Sequence, residues 1–184
     1  MDARRLAVLL MLALPSPTLI AAPHAHEHGA VRLDVAIDGA GLSIGVESAL
    51  HALLGSERAP RDEKERRAAD DLLRRVRSGD GLFGTDPAAR CTLARAEVHA
   101  PVLEPGAKGE APRAGAKVAP ADQHADLRAS LQYRCAQPQM LRALDVGLFD
   151  AFGRIRRIEV QVAGPRGQSK LTLRRPARSV PLQK

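Results

Sequence analysis

Two runs of alternating apolar residues, Val31, Leu33, Val35 and Ile37 and then Leu42, Ile44 and Val46, meet across Asp38-Gly39-Ala40-Gly41. Side chains of a strand point alternately to its two faces, so each run offers one apolar face and one polar face. The Asp-Gly step between them is a turn signal, which makes the pair a β-hairpin. A period of two cannot be carried by a helix. The chain must therefore build at least one sheet that is buried on one side.

The rest of the sequence extends this pattern. Cys91 to Val98 reads as a strand, and Leu127, Ala129, Leu131, Tyr133 and Cys135 share one face of another. Ile158, Val160 and Val162 alternate, Gly164-Pro165-Arg166-Gly167 is a turn, and Leu171 and Leu173 begin a last strand. Gln137 to Leu141 reads as a turn into a short helix, and Leu144 to Phe149 as extended. Pro60 to Arg77 reads as a helix. Acids crowd its start and arginines its end, Gly79 follows, and Ala69, Leu72, Leu73 and Val76 fall on one stripe. Pro101 to Gln123 carries almost no large apolar residue and cannot offset its ordering entropy, so it reads as a mobile central loop. The expected fold is α+β: a mainly antiparallel sheet of about seven short strands with one or two helices.

The first residues pair a basic start, Arg4-Arg5, with the apolar run Leu6 to Leu14. That reads as a signal peptide over residues 1–22, because a membrane-spanning helix needs about 20 apolar residues. The expectation is a periplasmic protein with no stable membrane insertion. A histidine-rich arm (residues 23–30) precedes one α+β domain (residues 31–184). Cys91 and Cys135 are the two cysteines. In an oxidising compartment an even pair reads as a structural disulfide, here contributing about 4 kcal/mol in the chain-entropy model. A redox or metal pair would call for close Cys-x-x-Cys spacing, which is absent.

The net charge is +7, which raises nucleic-acid binding. Export, an aromatic content of 2% and the acids beside most basic residues oppose it. The basic residues read as a solvated face, with weak attraction to an anionic membrane surface as the other option. No Gly-x-Ser-x-Gly, His-Glu-x-x-His, phosphate loop or paired-carboxylate signature occurs, so the chain does not read as an enzyme.

Three of the six histidines lie in His24-Ala25-His26-Glu27-His28. Residues two apart in an extended chain share a side. Three imidazoles with Glu27 can therefore approach one divalent ion, and zinc is bound well by imidazole. The alternative is a solvated polar tail; clustering of half the histidines favours metal. His124, beside Asp126, is a further candidate ligand. His51 and His99 read as structural or surface residues. Cu2+ or Ni2+ could compete for the same imidazoles. A copper site that uses the second backbone nitrogen is blocked by Pro23, which has no N–H.

Several stretches follow one another in a specific order: His24-x-His26-x-His28-Gly29, Leu54-Gly55-Ser56-Glu57-Arg58-Ala59-Pro60, Leu82-Phe83, and His124-Ala125-Asp126. Tyr133-x-Cys135, Leu148-Phe149-x-x-Phe152, Ile158-x-Val160-Gln161-Val162 and Gly167-Gln168 come after them. In this order they resemble the ZrgA-like family of periplasmic zinc-binding proteins linked to zinc uptake. The resemblance covers nearly all of the mature chain. It implies zinc binding, for which the residues themselves offer His24, His26, His28 and His124 as candidate ligands, with Glu27 and Asp126 as weaker candidates. It also implies cooperation with a zinc-importing ABC transporter or its binding protein, and a Cys91–Cys135 disulfide. Two departures stand out. The central loop has no histidine before His124, and Arg58 stands where the family is expected to have histidine. The other readings are a structural or interaction module with incidental histidines, or a copper or nickel metallochaperone.

Overall fold

A computed structural model describes residues 29–104 and 125–182. The hairpin forms as expected, with β1 (Ala30–Asp38) antiparallel to β2 (Gly41–Ala49). Short helix α1 (Leu50–Leu54) follows, then α2 (Glu63–Ser78), β3 (Phe83–Thr85) and β4 (Cys91–His99). After the central segment come β5 (Asp126–Cys135), β6 (Ala143–Val146), α3 (Leu148–Ala151), β7 (Arg157–Gly164), β8 (Gly167–Leu173) and β9 (Ser179–Pro181). The fold is α+β.

Six strands make one sheet in the order β4-β5-β2-β1-β7-β8, and β3-β6-β9 make a second. All pairs are antiparallel except β1 and β7, which run parallel. Register lines up the alternating residues: Leu33 lies opposite Val46 and Val160, and Ile44 opposite Val35 and Leu131. One face of the large sheet is thus apolar across four strands. Its residues join those of α2 and the small sheet in a single buried cluster that includes Leu72, Leu144 and Val180. The opposite face is polar, and Glu47 there bonds Arg128 at 3.2 Å and lies 4.0 Å from Arg32.

Helix α2 starts three residues later than the sequence reading places it. The side chain of Asp62 accepts from the Glu65 N–H at 2.8 Å, so the helix is capped there and Pro60 stays outside. Gly79 ends it in the left-handed region, donating to the Arg75 carbonyl at 3.0 Å. Ala69, Leu72 and Val76 are buried, against β4 and β5.

Two sequence expectations need correction. Leu144 to Phe149 is not extended throughout: β6 ends at Val146 and α3 begins at Leu148, whose apolar residues bury equally well in a helical turn. The central loop does not begin at Pro101, because Pro101–Leu103 form a 3-10 turn and Leu103 is buried. The loop expected over the later residues falls at 105–123, outside the described residues. The short elements α1, β3 and β9 were not legible in the sequence at all. The cysteines do pair: Cys91 and Cys135 lie directly opposite on β4 and β5, joined at an S–S distance of 2.02 Å.

Candidate metal centre

His24, His26, Glu27, His28 and His124 lie outside the described residues. What the structure does describe is where their immediate neighbours stand. Val31, Ser48 and Leu127 form one cross-strand row through β1, β2 and β5. His28 is three residues before Val31, His124 three residues before Leu127, and His51 three residues after Ser48. Strands that are hydrogen-bonded lie about 4.8 Å apart, so the flanks of all three leave one end of the sheet within about 10 Å. Leu50 N–H donates to the Ala125 carbonyl at 2.8 Å, which carries the β2–β5 ladder right up to this end.

The sequence reading set His51 aside as structural or surface. It is exposed on α1 and stands at this same end. No local signal could have shown that, because its proximity depends on pairing with strands about 80 residues away. Asp126 opens β5 and is half-buried there. His99 closes β4, one residue short of the same row, and its Nδ1 lies 3.8 Å from Glu104 Oε1. Among the described residues, no three His, Cys, Asp or Glu side chains converge to hold a metal ion.

Two glycines shape this end. Gly29, the first described residue, has φ +81° and its carbonyl accepts from the Arg156 N–H at 2.8 Å. A Cβ there would stand 2.9 Å from the Arg154 carbonyl oxygen. Gly55 ends α1 with φ +82°, and the guanidinium of Arg154 fills the space a Cβ would need, its Cζ at 2.7 Å. Arg154 therefore touches both the exit of the histidine arm and the end of the helix that carries His51.

Arg58 is committed elsewhere. Its guanidinium forks onto Glu65 with bonds of 2.7 and 2.6 Å. That bond, then the Arg61 N–H at 2.8 Å, holds the Glu65 carboxyl down at about 2. Arginine has no lone pair to give a metal, so this position contributes an ion pair at the start of α2 and no ligand.

The cystine lies at the far end of the sheet. Asp126 is the first residue of β5 and Cys135 the last, about 30 Å apart along the strand. No described helix is long and apolar enough to cross a membrane. The family model described as "ZrgA family zinc uptake protein" matches residues 25–182, and no curated protein matches the chain.

Proposed function

The chain belongs to the ZrgA family of zinc uptake proteins, and from that premise we propose that it is a periplasmic zinc-binding accessory protein without catalysis, assisting an ABC-type importer. Its task is to hold zinc and pass it on. The ligands are His24, His26 and His28 from the arm and His124 from the start of the β5 segment, with Glu27 and Asp126 as weaker oxygen donors. His51 joins this set as an alternative fourth imidazole. The observation that carries the reading is the row Val31–Ser48–Leu127, which sets the flanks of His28, His51 and His124 at one end of the sheet.

Three imidazoles tethered on one arm raise one another's local concentration, so the second and third ligands add at little further cost. A fourth donor from the folded body would complete a tetrahedral zinc site. With Arg58 bound to Glu65 and no histidine between Pro101 and Gln123, capacity is lower than in a histidine-rich relative. Zinc takes the neutral imidazole, whose ordinary value is about 6.5, so affinity falls as pH drops below about 6.

Calorimetric zinc titration tests the reading on four proteins: the wild type, the triple substitution of His24, His26 and His28 to Ala, His124→Ala, and His51→Ala. The triple variant loses most of the binding, and either single variant loses part. Wild-type binding by the triple variant would show the arm to be a solvated tail. Competition with Cu2+ and Ni2+ in the same cell decides whether zinc is the cargo or another metal displaces it.

A further inference from the structure

Between residues 153 and 178 the chain carries eight basic residues and one acid, Glu159. That difference equals the whole net charge of +7, so the remainder of the chain is neutral overall. Outside this segment acids balance the cations in number, and several pair directly: Arg58 with Glu65, Arg67 with Glu63, Arg74 with Asp71, and Arg128 with Glu47. In the β7–β8 segment, Arg157 pairs with Glu159 and Arg178 with Asp145 and Asp150. Arg154, Arg156 and Arg174 are exposed and have no carboxylate within ion-pairing distance among the described residues.

The backbone positions of all three fall at the end of the sheet already described. Ile158 is opposite both Val31 and Leu173, so Arg156 and Arg174 flank the rung next to the arm's exit. The side chain of Arg156 comes within 3.1 Å of where a Cβ on Gly29 would be. Arg175 beside them is fixed over the Phe149 ring at 5.1 Å and donates to the Phe149 carbonyl at 2.7 Å. The guanidinium of Arg154 lies against Gly55.

From this arrangement we infer that the Arg154–Arg156–Arg174 surface is the docking site for an acidic face of a partner protein. Seven of the eight basic residues are arginines, whose planar fork pairs with carboxylates in a fixed geometry. The neighbouring Arg175 guanidinium is already held by Phe149, which lowers the ordering cost of docking on a folded partner. A membrane-binding surface would couple cations to exposed aromatic or bulky apolar residues. The exposed neighbours here are Gly153, Pro176 and Ala177. The inference rests on charge and goes beyond the zinc reading; it places partner contact next to the histidine flanks.

The test uses poly-L-glutamate as the acidic probe, with phosphatidylglycerol–phosphatidylcholine vesicles as the competing surface. Full-length protein is compared with a triple reversal, Arg154→Glu, Arg156→Glu and Arg174→Glu. A control carries the same charge change on α2: Lys64→Glu, Arg66→Glu and Arg77→Glu. The docking reversal weakens polyglutamate binding at least about tenfold at low salt, and the α2 control changes it less than about twofold. Equal loss in both variants would mean that net charge alone is being read, and overturns the site. Binding to vesicles but not to polyglutamate would overturn the protein partner in favour of a membrane. If the reversal lowers the melting temperature, Arg154→Gln, Arg156→Gln and Arg174→Gln replace it. The triple substitution of His24, His26 and His28 to Ala keeps wild-type polyglutamate binding, so failure of this site and failure of the zinc reading are told apart.

Discussion

Single residues at the histidine end do their work through backbone and charge more than through contact area. Gly29 is the clearest case, since its φ of +81° and the Arg154 carbonyl both exclude a side chain. Gly29→Val costs about 1–3 kcal/mol of stability, read from urea melts. It also displaces the exit of the histidine arm, read as weaker zinc binding at temperatures where the fold is intact. Arg58 and Glu65 give a second residue-scale prediction. The Glu65 carboxyl is lowered from 4.5 to about 2, chiefly by the Arg58 fork. A depressed carboxylate contributes its stability above the unfolded value and loses it as pH falls through the folded one. The pair's contribution is therefore complete above about pH 4.5 and fades between there and about 2. In Arg58→Ala the Glu65 midpoint moves upward toward its ordinary value, measured by carboxyl-carbon NMR. An unmoved midpoint would assign the effect to the Arg61 N–H alone.

At the scale of elements, α2 is set by its ends and by one stripe. Asp62 caps the first turn and Leu72 buries the middle of the stripe. Asp62→Ala removes a single satisfied N–H and costs about 1 kcal/mol. Leu72→Ala leaves a cavity against β4 and β5 and costs about 2–5 kcal/mol. Denaturant unfolding of both variants should give that order, and the reverse would mean that the helix is held by its cap and hardly by the sheet. The sequence pattern places the start at Pro60, whereas the Asp62 cap sets it three residues later. The glycine stop and the stripe were legible in the sequence, because each is a local rule. The three-residue strands β3 and β9 and five-residue α1 were not. Such segments are too short to show a period, and they keep their form through pairing and burial.

For the molecule as a whole, the cystine and the histidine end are separate devices. Cys91 and Cys135 join adjacent positions on β4 and β5, at a sequence separation of 44. Closing that span constrains the unfolded chain, so replacing both cysteines with Ala lowers stability by about 2–4 kcal/mol. The bond lies at the far end of β5 from Ala125. Zinc affinity of the double variant, measured well below its melting temperature, should match the wild type. A large drop would tie the cystine to the metal site and not to the fold alone.

The sequence by itself determined which residues of the alternating strands face inward, where the hairpin turns, where α2 stops, and that two cysteines could bond. Each of these follows from a period or a short-range steric or hydrogen-bonding rule. It also held the histidine arm and the family resemblance. Only the tertiary structure decided that β7 runs parallel beside β1, that Val31, Ser48 and Leu127 share a row, and that His51 stands at that end with Arg154 between two glycines. It likewise decided that Arg58 is bound to Glu65 while Arg154, Arg156 and Arg174 are left over. Strand order and ion pairing are choices among partners distant along the chain. They are settled by the burial of one shared core, and no local pattern of residues records them.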